Sequence, residues 1–157
     1  MKGLIKEATV FDLTLDPQSE ADMKWAFPKV DPGIEPCGER VMFQVRTPKV
    51  TTRGGIILTN ETSETDLWNT QVGKLIAVGP LAFKNRMTLG PWVEGEWAKI
   101  GDYCRIPIYG GDKWKRPVPG RTREKDGMGS EALFMIIKDT EIIGKITCSP
   151  LEIKAYI

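Results

Sequence analysis

The sequence contains no histidine. That absence excludes a triad built on a His base, a histidine-ligated zinc and an imidazole proton shuttle. Cysteine is scarce: Cys37, Cys104 and Cys148 form no CxxC pair, which excludes a zinc ribbon and a thioredoxin-type redox couple. Three odd, widely spaced thiols fit a reducing compartment, and Cys104, inside an apolar stretch, reads as a small buried side chain. No segment approaches the roughly 18 apolar residues that cross a bilayer. Residues 1–15 carry Lys2 and Lys6 but lack the apolar core of a secretory signal. A single-signed charge is also missing, since 22 Lys+Arg face 21 Asp+Glu for a formal net charge of +1. A dedicated nucleic-acid binder shows a basic excess. These absences predict a soluble cytoplasmic protein with neither a membrane nor a nucleic acid among its partners.

What is present describes one domain of ordinary size: 157 residues, 41% hydrophobic and 27% charged. Residues 1–33 form an acidic N-terminal extension, too short for a core of its own, in which Phe11, Leu13 and Leu15 alternate as a short strand. Pro28, Pro32 and Gly33 read as a linker. Val41, Phe43 and Val45 then alternate with Met42, Gln44 and Arg46, as a half-buried strand does. Residues 72–78 repeat the period, with Val72, Ile76 and Val78 on one face and Leu75 and Ala77 on the other. Residues 103–108 read as an edge strand, because Pro107 has no N–H for a ladder. Residues 132–137 are apolar throughout, which predicts a strand covered on both faces. Residues 144–147 and 151–157 complete the set. No sustained 3.6-residue stripe exists, and 16 Gly with 11 Pro punctuate the chain. The expected class is all-β, a barrel or sandwich.

Three connections are long for so small a domain: residues 47–70, 79–98 and 110–131. Connections of that length are usually functional or disordered. All five tryptophans, Trp25, Trp68, Trp92, Trp97 and Trp114, fall outside the clear strands. Catalytic chemistry finds no foothold in them. Glu94 and Glu96 flank Gly95 as a solvated turn more readily than as an acid–base pair. Gly110-Gly111-Asp112 has neither P-loop nor GxGxxG spacing and reads as a hairpin turn. Lys113, Lys115, Arg116, Arg121, Arg123 and Lys125, beside Trp114, would attract phosphate, but Asp112, Glu124 and Asp126 dilute them. No enzyme, metal or cofactor is expected.

Residues 47–70 are more informative. One apolar triplet, Ile56-Ile57-Leu58, follows Gly54-Gly55 inside a long polar tract. A turn entering an ordinary strand accounts for the triplet. A disordered segment offering a short apolar anchor to a partner accounts for the whole tract.

At these residues the chain resembles the small co-chaperonins, the GroES-like lids of the chaperonin cage. Ile34-x-Pro36-x-x-x-Arg40-Val41 is similar to the family's opening strand, and Gly54-Gly55-Ile56-Ile57-Leu58-Thr59 to the tip of its mobile loop. Gly73-Lys74-Leu75-Ile76-Ala77-Val78-Gly79 resembles the strand after that loop, and Lys99-Ile100-Gly101-Asp102 the Val-Gly-Asp turn. Tyr109-Gly110, residues 131–137 and residues 139–147 continue the series in order, over about residues 33–147. Residues 1–33, the longer stretch 111–130 and the tail 148–157 have no counterpart in typical bacterial members. Elongated, divergent forms of this kind are reminiscent of co-chaperonins encoded by bacteriophages, which recruit the host cage for capsid folding.

The resemblance implies a GroES-like, partly open β-barrel with long loops over residues 34–147, closing into a homo-oligomeric ring, a heptamer. It implies that Ile34, Glu35 and Pro36 meet Lys145, Ile146 and Thr147 of the neighbouring subunit. It places Phe83, Trp92 and Trp97 in the roof loop, and Gly54, Gly55, Ile56, Ile57 and Leu58 in the mobile loop that binds a large GroEL-like ring. Residues 148–157 are then a C-terminal extension strand. The implied function is to cap the folding chamber around an unfolded client in ATP-dependent folding, the nucleotide belonging to the chaperonin. Two rival readings are a small β-barrel module for single-stranded nucleic acid or peptide, with residues 113–125 as its basic loop, and a detached relative of the GroES-like domain of alcohol dehydrogenases. The second is left without zinc chemistry by the missing His and CxxC.

Overall fold

Among the described residues six strands pair antiparallel into one open sheet, whose spatial order runs from residues 112–117 through 131–138, 40–45, 72–78 and 103–105 to 144–145. The computed structural model describes residues 20–47 and 70–153. The strands are β1 (Arg40–Val45), β2 (Val72–Val78), β3 (Tyr103–Arg105), β4 (Asp112–Pro117), β5 (Glu131–Lys138) and β6 (Gly144–Lys145). Short helices are α1 (Glu20–Ala26) and α2 (Arg123–Asp126). No helix among the described residues is long and apolar enough to cross a membrane. The all-β expectation holds.

Alternation puts Val41, Phe43 and Val45 of β1, Leu75 of β2, Cys104 of β3, and Leu133, Met135 and Ile137 of β5 into one core. Burying each such side chain contributes about 1.5–3 kcal/mol. The opposite face is also covered. Residues 26–32 run across it, so Met42 and Gln44 are buried together with the inward residues of β1. There Ala132 and Phe134 pack with Val118, Val30, Ile76 and Trp114. The strand expected to be covered on both faces is therefore β5, and β1, read as half-buried, joins it. A bulge between Met42 and Phe43, opposite Ile76, shifts the β1–β2 register and keeps Leu75 beside Phe43.

Five elements differ from the sequence reading; the strand expected over residues 144–147 is β6, which covers only Gly144–Lys145. The strand expected over residues 103–108 is β3, which ends at Arg105. The Ile106 N–H still bonds to the Gln71 carbonyl (2.9 Å), and Pro107 then stops the ladder. Within the stretch expected as a loop, β4 pairs with β5 from Asp112 to Pro117, so Trp114 does lie in a strand. Its lysines and closing proline are edge-strand chemistry. Gly111 starts it at φ +67°, where an added Cβ would stand 2.2 Å from the Ile136 carbonyl oxygen. Residues 20–26 are helical, with Glu20 and Asp22 in the first turn and Lys24 in the last, complementing the helix dipole. Finally, Leu151 and Glu152 sit in a turn, its Glu152 N–H on the Ser149 carbonyl (3.0 Å). The expected strand over residues 11–15, and residues 154–157 of the expected tail strand, lie outside the described residues.

Candidate functional site

Residues 48–69 lie outside the described residues, and with them Gly54, Gly55, Ile56, Ile57 and Leu58. The root of that excursion is well defined. Val45 pairs with Gly73, and the Arg46 N–H donates to the Val72 carbonyl (3.0 Å). Thr47 is 0% exposed on the outgoing side, and Thr70 is buried on the return. The Gln71 side chain accepts from Arg105 (2.9 Å), tying the return strand to β3. The two ends thus leave one end of the β1–β2 pair side by side.

Phe83, Trp92 and Trp97 come together in the connection after β2. The Phe83 and Trp97 rings meet edge to face at 5.6 Å, and Trp92 stacks on Trp97 at 6.1 Å and 21°. Such pairs add about 0.5–1.5 kcal/mol beyond burial. Asp139, 1% exposed, anchors this connection. Its carboxylate accepts from the Phe83 N–H (2.7 Å), the Arg86 guanidinium (3.1 Å) and the Thr140 N–H (2.8 Å). Arg86 also reaches Glu39 (3.7 Å). No sequence motif announced Asp139 as an anchor, since one acid after an apolar strand reads as a solvated end.

The two groups of expected interface residues lie apart. Ile34, Glu35 and Pro36 belong to no strand; Glu35 and Pro36 line a groove of about 490 Å³ shared with Asp112 and Ile137 near the β4 side. Lys145 lies in β6 at the other edge of the sheet, followed by Ile146 and Thr147. Beside it Glu94, Trp97, Ile142 and Ile143 line a groove of about 480 Å³. Ile34 is 44% exposed and Ile143 60% exposed. One side of β6 is occupied within the chain, with Cys104 opposite Lys145 and the Ile146 N–H on the Tyr103 carbonyl (2.8 Å). Lys145 bridges Asp102 (3.3 Å). The Lys99 N–H, aided by Lys145, holds the Asp102 carboxyl below the ordinary range.

Three of the six basic residues of 113–125 donate to backbone carbonyls of the chain. Lys113 donates to Ile108 (2.6 Å), Arg116 to Asp31 (3.2 Å) and Arg121 to Trp25 (3.0 Å), and Arg121 also lies 3.8 Å over the Trp25 ring. Burial pulls the Lys113 ammonium below its ordinary value. This arrangement counts against a phosphate-binding loop. Among the described residues no group of His, Cys, Asp and Glu is placed to hold a metal ion.

Burial, seconded by Asp102 and opposed by Lys145, pushes the Cys104 thiol up to about 11 from its ordinary 9.0. Cys37 and Cys148 are exposed. A thiol reagent at pH 8 should therefore label Cys37 and Cys148 promptly and Cys104 only on unfolding. Above pH 9 the unfolded chain loses the Cys104 proton first, so stability should fall between about pH 9 and 11. The loss is about 2–3 kcal/mol, and Cys104→Ala should remove that part of the slope in chemical-denaturation curves.

Residues 33–146 match the family model described as Chaperonin 10 Kd subunit. No curated protein sequence matches the chain.

Proposed function

The chain belongs to the Chaperonin 10 Kd subunit family, and from that membership we propose that it caps a chaperonin chamber through residues 48–69. Membership supports a co-chaperonin role: the fold is of the GroES-like class, and the family implies a GroEL-type chaperonin as partner and a ring oligomer whose members are not enzymes in themselves. The finer reading is a seven-membered cytoplasmic ring whose Ile56, Ile57 and Leu58 dock on the chaperonin. The chaperonin supplies the ATPase, and an unfolded client, a phage capsid protein in a phage-encoded member, is held beneath the lid.

The observation that carries this reading is the family match across the whole sheet. Two features support the finer parts. Glu35 and Pro36 lie beside the β4 edge of the sheet and Lys145 in the β6 edge, so a joint between them would be head-to-tail and would close as a ring when its rotation divides the circle. The root of residues 48–69 is a paired, buried base from which a docking segment can extend. The deciding experiment is pull-down with a GroEL-type chaperonin in the presence and absence of adenine nucleotide. Nucleotide-dependent capture is expected, together with protection of Lys49 and Arg53 from trypsin. No capture in either state, with equal cleavage, sinks the reading.

A further inference from the structure

The family match stops at residues 33 and 146, yet the segments beyond both limits converge on one place. From the N-terminal side, the Ala26 carbonyl accepts the Thr47 N–H (2.9 Å), and the Pro28 carbonyl accepts the Gln44 side-chain amide (2.7 Å). From the C-terminal side, the carbonyls of Pro150 (2.7 Å) and Ile153 both accept from one nitrogen of the Arg46 guanidinium. Arg46 is only 7% exposed. Ala26, Phe27 and Leu151 share a satellite core with Val72, and Phe27 tilts against Tyr103 at 5.1 Å. Gln44, Arg46 and Thr47 are the outgoing side of the root of residues 48–69; Val72 is the return side. Both sides are therefore gripped by both extensions.

We propose that the two terminal extensions form a clamp that fixes the root of residues 48–69, stiffening the backbone at Arg46, Thr47 and Val72. A guanidinium removed from water is costly unless its donors are met. Two of its bonds fall on backbone carbonyls of the tail, so Arg46 ties the tail to the root, and Leu151 packs in the satellite core with Val72. A fixed root lowers the conformational freedom that a docking segment loses on binding, which favours affinity without a new contact. The affinity consequence rests on the lid reading above; the stiffening of the root does not.

The test uses the full chain, a variant ending at Ser149, and Arg46→Met, which keeps the length of the side chain and removes its donors. Amide hydrogen exchange should accelerate tenfold or more at Arg46 and Thr47 in both variants, while Phe43 and Met135 change less than twofold. Ring size by light scattering should not change. Half-saturation of chaperonin capping should move to at least threefold higher concentration. Exchange at the root within twofold of the parent overturns the clamp, and so does equal acceleration throughout the sheet, which marks general destabilisation. Should the parent protein bind no chaperonin, the lid reading fails, and the exchange rates alone decide for or against the clamp.

Discussion

Ile57→Asp should abolish capping of a chaperonin while leaving ring size and circular dichroism unchanged. Burying Ile56, Ile57 and Leu58 on a partner supplies about 5–9 kcal/mol, at roughly 1.5–3 each. Ordering a segment on its partner costs on the order of 2–5 kcal/mol, and association carries its own entropic cost. One segment is left with weak, about millimolar, affinity. Repeated on a ring, later contacts become intramolecular, and avidity rises by factors of about 10²–10⁴. An aspartate at the centre of every triplet cancels the apolar gain and asks the partner surface to desolvate a carboxylate. The described strands on either side, β1 (Arg40–Val45) and β2 (Val72–Val78), pair with one another without residue 57, so the sheet is expected to survive the substitution. Nucleotide-dependent co-sedimentation with the chaperonin measures the first claim, and light scattering with circular dichroism the second. Normal capping by the variant, or collapse of its fold, removes the triplet as the docking anchor.

The strands that were legible in the sequence are those whose side chains alternate against a core. Val41, Phe43 and Val45 did so, and the unbroken apolar run of β5 announced cover on both faces. What supplied the second cover was not legible. Residues 26–32 bind the sheet through backbone carbonyls, on Gln44, Thr47, Trp114 and Arg116, and a carbonyl leaves no trace in residue type. The β4 strand escaped notice because an edge needs only one apolar contact, here Trp114 stacked on Phe134 at 5.8 Å; its neighbours Asp112, Lys113, Lys115 and Arg116 are charged, so no apolar alternation shows. Helix α1 is two turns long, too short for a stripe. In the tail, Leu151 and Ile153 pack in the satellite core from a turn and bend, so over the described residues 151–153 the alternation forms no strand. Of the candidate residues, the aromatic trio was legible by type, whereas Asp139 and Arg46 were not. Each is a single charge whose burial depends on partners distant in the chain.

Ile34→Asp and Ile143→Asp, made separately, should each reduce the ring to monomers. Deleting the closing residues is a poorer probe of the joint than it first looks, since Ile146 and Leu151 belong to the satellite core and β6 is already paired with β3. Ile34 and Ile143 avoid that confusion. Both are substantially exposed in the single chain, so an aspartate there leaves its core intact, and the melting temperature should move by only a few degrees. They stand near opposite edges of the sheet, so in a head-to-tail ring each joint contains one Ile34 side and one Ile143 side. Every joint then loses about 1.5–3 kcal/mol of apolar burial and gains a carboxylate whose desolvation costs several kcal/mol more. Because the ring repeats the joint, the penalty falls on all contacts at once. Monomers keep their docking triplets but lose avidity, so capping should weaken by about 10²–10⁴-fold. Light scattering reads the assembly and chaperonin titration the capping. A ring that survives both substitutions would show that the two edges of this sheet are not its joint.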